Sequence, residues 1–388
     1  MPAGSPTESA SCSSGSTSTD SIGCFRGRPG PRRGRGVVSP RFIPDKNHKV
    51  GGSGLASNTD LSHLRSFTVF GEDVPPPKDY RKQRLLRAID LEGCRETDHF
   101  HRKSFSKLFL LMYLSLRNTE LFELPDSIGD LQNLEFFDIR ETNIRKLPNS
   151  IVKLRKLVYL LGGSLTGFKF PKGIRKLKRL ATFGTARTRN VHSLQEIGEL
   201  VHVQKLAISF CCSDLSLRML EEISALLSKV NDSLRSLKIL HWADRSLKKA
   251  LDEVASPPLL LCKLMIRCRL YELPPWFASL KHGIKISLFF TRLQLEDLQV
   301  MRNLPALVYL KLGYESFVNN DEDLVFDRGG FAQLKFLEII ERNVSFKEGA
   351  VRSLEIFKID LPTTPRSLLV NGKNIRTSAW AKGGSHYN

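Results

Sequence analysis

Nucleophiles, acid–base groups, metal ligands and phosphate cradles act only at workable spacing, and this sequence holds few in such patterns. Its seven cysteines are Cys12, Cys24, Cys94, Cys211, Cys212, Cys262 and Cys268. None lies in a C-x-x-C pair, so a common zinc site has no frame, and an odd, scattered set does not suit a disulfide scaffold. Reduced, mostly buried thiols of a cytosolic or nuclear protein are the simpler reading. The nine histidines are dispersed, and His99 and His101 fall in a polar insertion where they read as solvated. No H-E-x-x-H or G-x-S-x-G signature occurs. The glycine-rich stretch Val50–Ser57 lacks the lysine of a phosphate loop and follows no apolar strand, so it reads as a flexible linker. Cys211 ends an apolar alternation and reads as structural. These residues support neither an enzyme nor a metal or cofactor.

What remains is charge. The 388 residues carry 59 Lys+Arg against 40 Asp+Glu, a formal net charge of +19. That balance suits acidic partners: nucleic acid, an anionic membrane or an acidic protein surface. Hydrophobic residues at 41% and charged residues at 26% fit a folded chain. No apolar run reaches the ~18 residues of a membrane span. Residues 1–50 stand apart: Ser, Thr, Gly and Pro dominate 1–22, and Arg, Gly and Pro dominate 23–36. Such composition buries too little to offset ordering. A transit peptide, an RNA-binding arginine/glycine tail and a disordered leader compete. The absence of an amphipathic pattern among the arginines favours the leader, and no apolar core of a secretory signal is present. A linker is expected over 51–59.

The elements that would position any site follow from a repeat. The pattern L-x-x-L-x-L-x-x-N/C/T starts at Leu111, Leu134, Leu157, Leu180 and Val203, each 23 residues after the last. Position four reads Leu114, Phe137, Leu160, Phe183 and Leu206. Position six reads Leu116, Ile139, Gly162, Thr185 and Ile208. Position nine reads Thr119, Thr142, Leu165, Thr188 and Cys211. Leu124-Pro125, Leu147-Pro148 and Phe170-Pro171 follow, then columns of Ile and Leu at Ile128, Ile151, Ile174 and Ile197 and at Leu131, Leu154, Leu177 and Leu200. The alternation places a short strand with its leucines inward, Thr or Asn at position nine bonding the backbone at the turn, and proline ending strand pairing. Each buried side chain contributes about 1.5–3 kcal/mol. Ordering a residue costs about 1.5 kcal/mol, so one repeat cannot stand alone and must stack on its neighbours. Weaker copies begin at Leu64, Leu86, Leu234, Leu261, Leu307, Leu334 and Leu354, with a partial one at Ile286-x-Leu288. Leu217–Leu227 carries helical spacing, and a shorter helix is expected near Leu247–Val254. The expected fold is an α/β leucine-rich-repeat solenoid over 60–362: a curved horseshoe with parallel strands on the concave face and loops and short helices on the convex face. A polar tail, 363–388, shows no capping repeat.

Two surface sets stand out as binding candidates. Outward strand positions present Tyr113, Arg117, Phe136, Asp138, Arg140 and Tyr159, then Lys205, Phe210, Trp242, Lys263, Arg267, Tyr309, Lys311 and Tyr314. Aromatics beside arginine suit a protein interface, although lateral stacking within the sheet also accounts for them. A basic band forms the second set. Between Arg140 and Arg189 there are fourteen Lys/Arg and one acid, Glu141. Its turn members are Arg145, Lys146, Lys153, Arg155, Lys156, Lys169, Lys172, Arg175, Lys176, Lys178 and Arg179. They read either as a solvated rim or as a dock for an acidic surface.

The run from Tyr113 to Thr119, the Leu124–Leu131 segment, Asp138–Thr142 and Leu147–Ile151 resemble the repeat region of plant coiled-coil nucleotide-binding leucine-rich-repeat disease resistance proteins. Asp60–Phe70 is similar to the segment that opens such arrays in grasses, and Phe331–Ile339 with Glu348-Gly349-Ala350 to a late repeat. The resemblance implies a protein-binding module of plant defence. Its partners would be a pathogen effector, a guarded host protein, or the nucleotide-binding domain of a full-length relative in trans, with the basic band as the dock for that domain. No nucleotide-binding domain occurs in this sequence, so no nucleotide is expected, and the resemblance implies a truncated receptor in the cytoplasm or nucleus. A non-immune signalling scaffold and a basic nucleic-acid-binding protein are the competing readings.

Overall fold

The chain divides into Met1–Pro40 and Arg41–Asn388. A computed structural model describes residues 64–68, 83–94, 107–211, 215–282, 284–318, 323–340, 343–360, 369–370 and 373–374, all in the second unit. The expected leader, the 51–59 linker, His99, His101, Cys12, Cys24 and Cys212 lie outside the described residues.

One parallel sheet organises this unit. Its strands in chain order are β1 (Ser66–Thr68), β2 (Ala88–Asp90), β3 (Tyr113–Ser115), β4 (Phe136–Ile139), β5 (Tyr159–Gly162), β6 (Thr182–Thr188), β7 (Lys205–Phe210), β8 (Ser236–His241), β9 (Lys263–Arg267), β10 (Ile284–Phe289) and β11 (Leu307–Leu312). After β12 (Leu324–Phe326) come β13 (Phe336–Ile340), β14 (Val344–Phe346) and β15 (Ile356–Asp360). Each strand of the ladder pairs with the next along the chain, so β1 to β11, β13 and β15 form one 13-stranded sheet in sequence order. Neighbours along the chain are neighbours in space because each repeat has an apolar column that only the adjacent repeat can cover. Strands β12 and β14 form a separate parallel pair. An antiparallel pair, β16 (Leu369–Val370) and β17 (Lys373–Asn374), follows.

The inward columns behave as their spacing predicts. Leu114, Phe137, Leu160, Phe183, Leu206, Leu237, Leu264, Leu310, Leu337 and Phe357 are buried. So are Ile128, Ile151, Ile174 and Ile197 with Leu131, Leu154, Leu177 and Leu200, which close the same core from the return side. Pro125 and Pro148 precede short 3-10 turns, Asp126–Asp130 and Asn149–Lys153. Proline's missing N–H and fixed φ end strand pairing there and start the turn. Thr119 Oγ1 donates to the Leu116 carbonyl at 2.7 Å, and Thr142 Oγ1 to that of Ile139 at 2.8 Å.

Three expectations need correction. Position six of the fourth repeat is Ala186 rather than Thr185, because the register between β6 and β7 shifts after Phe183 and sets Ala186 opposite Ile208. The bulge sits at Gly184, where a Cβ would lie 2.4 Å from the Gly162 carbonyl oxygen. Leu165, at position nine, lies in the Ser164–Gly167 turn after β5 but stands exposed there, without the inward backbone bond that Thr119 and Thr142 make. Phe210, read as outward, is 1% exposed. It shares the parity of Leu206 and Ile208 and therefore points into the core.

The longer steps of the array carry helices. The helix expected over 217–227 spans α2, Leu217–Lys229, with the Ser216 side chain accepting from the Met219 N–H. The shorter expected helix is α3, Lys248–Asp252. Two more occupy return segments without having been anticipated: α1, Val191–Gly198, capped by Asn190, and α4, Asp297–Arg302. Helices of successive repeats touch directly, as when Ser224 Oγ of α2 donates to the Ala250 carbonyl of α3 at 2.6 Å.

Candidate functional site

The ladder register brings side chains one repeat apart in sequence side by side on the open face of the sheet. Tyr113 pairs with Phe136, and Phe136 with Tyr159. Farther along, Lys263 pairs with Lys285, Lys285 with Tyr309, and Tyr309 with Phe336. The rings stack laterally, at 4.5 Å and 9° for Tyr113 with Phe136 and 4.5 Å and 10° for Tyr309 with Phe336. The sheet itself therefore uses part of these aromatics.

At the β2–β4 end the face is acidic and tightly paired. Asp138 is 3% exposed and accepts from the Arg140 guanidinium with both oxygens, while its Oδ1 also takes the Arg140 N–H at 3.0 Å. Arg140 is held protonated chiefly by that carboxylate. Arg117 bridges Glu141 at 2.8 Å and Glu92 at 3.4 Å. Tyr113 Oη donates to Asp90 at 3.4 Å. Burial pushes the Asp90 carboxyl above its ordinary value, and burial with the nearby Asp90 and Asp138 charges pushes Tyr113 up to about 12. Asp138, Arg140, Arg117 and Glu141 are paired with one another and read as a rigid frame, while Asp90 Oδ1 is buried without a hydrogen-bond partner.

From β5 to β10 the balance reverses. These six strands contain Arg187, Lys205, Lys238, Lys263, Arg267 and Lys285 and no acidic residue. Lys238 and Lys285 lie in the less regular repeats, where the sequence pattern gives them no distinguishing signal. Lys205 and Lys263 are exposed and Lys285 half-buried. At the rim the Arg267 guanidinium lies 3.9 Å from the centre of the Trp242 ring and 4.8 Å from that of Phe290. Phe290 in turn stacks on Tyr314 at 6.3 Å. A cleft lined by His241, Trp242, Asp244, Arg267, Arg269 and Phe290 opens beside this ladder of rings. Beyond it Lys311 is taken up by Glu338 at 2.6 Å.

The basic band lies off this face. All eleven turn members, Arg145, Lys146, Lys153, Arg155, Lys156, Lys169, Lys172, Arg175, Lys176, Lys178 and Arg179, are exposed. The backbones of Lys146 and Lys169 bridge in parallel. Lys153 and Lys176, Arg155 and Lys178, and Lys156 and Arg179 are each 23 residues apart and so recur at the same place on adjacent repeats. Among the described residues one carboxylate reaches the band: Glu196, buried, accepts from the Gly173 N–H at 2.9 Å and lies 3.4 Å from Arg175 Nε. Lys156 donates to Asn133 and Lys178 to the Glu199 carbonyl, neither of which neutralises it.

Among the described residues no group of three His, Cys, Asp or Glu side chains could hold a metal ion, and no helix is long and apolar enough to cross a membrane. Cys211, Cys262 and Cys268 are free thiols, and Cys94 is buried. Burial alone pushes Cys268 strongly upward, and burial with the Asp90 charge lifts Cys94 to about 11. Neither is a poised nucleophile.

A family model described as a leucine-rich repeat region matches residues 63–374. The disease resistance protein RGA4 of Oryza sativa subsp. japonica is 43% identical over 76 residues, which is 20% of this chain and 7% of that protein. Disease resistance protein PIK6-NP of the same plant is 27% identical over 346 residues, 79% of this chain and 32% of that protein. The chain thus spans a third or less of these curated relatives. Among solved structures, an internalin from Listeria monocytogenes matches with a TM-score of 0.49 at 17% identity, over 83% of this chain and 88% of that one. A Leptospira interrogans LRR protein matches with a TM-score of 0.47 at 19% identity, over 73% of this chain and 68% of that one. With 23-residue periodicity, a ladder in sequence order and a family model over most of its length, the chain belongs to the leucine-rich repeat region family.

Proposed function

We propose that this chain is a protein-binding leucine-rich-repeat module of the plant defence response, acting in the cytoplasm or nucleus. The observation that carries the reading is the similarity to PIK6-NP, a disease resistance protein, along 79% of the chain. The ligand is a protein: a pathogen effector, a guarded host protein, or the nucleotide-binding domain of a full-length relative engaged in trans. The work is done by outward side chains on a rigid ladder, which is how a solenoid offers a long binding surface. The exposed band from Arg145 to Arg179 is the dock for the nucleotide-binding domain, since a surface of one sign with so few counter-charges gains most from an acidic partner.

The test is capture of the nucleotide-binding domain of a full-length disease resistance relative by the full chain at low and high salt. Capture should weaken by about tenfold or more between ~0.05 and ~0.3 M salt, as exposed charges are screened. Reversing Arg175, Lys176, Lys178 and Arg179 to Glu should weaken it by a similar factor at low salt. Capture indifferent to both changes contradicts the dock.

A further inference from the structure

We infer that the open face of β6–β10 is the recognition surface for an acidic polypeptide segment laid across the strands. The inference rests on the reading of the chain as a protein-binding module and names the chemistry of its partner. Its basis is a division of charge that the sequence does not display. Acids are absent from β5 through β10, while Arg187, Lys205, Lys263, Arg267 and Lys285 come from four of the five consecutive strands β6–β10. Among the described residues no carboxylate lies within ion-pair distance of Lys205, Lys263 or Lys285.

Geometry selects the occupant. Neighbouring strands are about 4.8 Å apart, so Lys263 and Lys285 stand one strand spacing apart and Lys205 and Lys263 about two. Carboxylates on alternate residues of an extended peptide recur at about 7 Å, and flexible lysine stems span that difference. Ser236 lies between Lys205 and Lys263 in the same row, and half-buried Ala207 is its small neighbour on β7, which lets a peptide approach the sheet closely there. A second row crosses the other end of these strands, from Arg187 through Ser209 and Leu240 to Arg267, and there the Arg267 guanidinium is held between Trp242 and Phe290. A stacked guanidinium is oriented in advance for a carboxylate. Nucleic acid is disfavoured because the ring faces are committed to protein groups: Tyr113 to Phe136, Tyr309 to Phe336, and Trp242 to Arg267. Single-strand binding needs rings offered in succession to bases.

The experiment uses the full chain and three probes: a twelve-residue peptide alternating Glu and Ser, its Gln–Ser counterpart, and a twelve-nucleotide oligouridine, each followed by fluorescence anisotropy at ~0.05 M salt. The Glu peptide should bind at least about tenfold more tightly than the Gln peptide. Combined Lys205→Glu, Lys263→Glu and Lys285→Glu should weaken it at least about tenfold, and the milder Lys→Gln triple should weaken it less. Reversal of the Arg175–Arg179 cations should weaken it less than the open-face triple does. The far-ultraviolet spectrum of each variant reports whether it is folded. No binding of the Glu peptide, equal binding of the Gln peptide, loss on the band reversal rather than on the open-face one, or tighter binding of oligouridine overturns the inference. If a captured protein partner binds the open-face triple variant undiminished, the acidic-partner inference falls while the protein-binding reading stands. If the Glu peptide binds at the open face but no protein partner is captured, the protein-binding reading falls and the charge chemistry of the face remains.

Discussion

Asp138 shows what single residues contribute to the ladder. Its carboxylate sits nearly covered on the open face and is satisfied by the side chain and N–H of Arg140. Asp138→Ala would leave that guanidinium without its partner and should cost about 2 kcal/mol, read as a lowered midpoint in urea. Asp90 works in the opposite direction. Burial raises its pKa above 3.8, so the folded chain keeps a proton that the unfolded chain has released. Ionised Asp90 therefore costs stability at neutral pH, and the cost is relieved as pH falls through the raised value. Asp90→Asn should be more stable than the parent at about pH 7, with the difference shrinking toward about pH 4; a difference that grows in acid contradicts this. Thiol labelling gives a third check. Among the described cysteines, exposed Cys262 should react with a maleimide in the folded chain, whereas Cys94 and Cys268 should react only on unfolding. Residue identity was legible from parity where a strand was regular, as at Tyr113, Phe136 and Tyr159. It failed at Phe210, where the reading lost the alternation. It also passed over Lys238 and Lys285, whose meaning lies in the missing acids of neighbouring strands rather than in either residue.

At the scale of elements, the strands and the main helix followed from periodicity because each repeat must bury the same columns. The bulge at Gly184 did not, since an inserted residue leaves the apolar count intact while moving Ala186 into the place of Thr185. Close approach to Gly162 explains the glycine: Gly184→Ala would force a Cβ to 2.4 Å from backbone oxygen and should cost about 1–3 kcal/mol. The shift should be smaller for Ser216→Ala, about 1 kcal/mol, from loss of the cap on α2. Helices α1 and α4 escaped notice because their apolar positions coincide with the Ile and Leu columns of the repeat, which a 3-10 turn satisfies equally well. The band was legible as composition, yet its rungs on adjacent repeats became a surface only through stacking.

The described repeats form a ladder, and the proposed function depends on which side of it a charge faces. Two basic surfaces arise from one net charge: an exposed turn edge, and an open sheet face without acids between two ends that carry them. The curated relatives are much longer than this chain, and the proposed protein-binding role is read by partner capture. Lysine acetylation footprinting of the full chain, alone and with a captured partner, tests the account most directly. The account predicts that Lys205, Lys263 and Lys285 become protected while Lys249 and Lys335, exposed away from the basic stretch, label as before. Protection confined to Lys249 and Lys335, with the open-face lysines labelled unchanged, would contradict it.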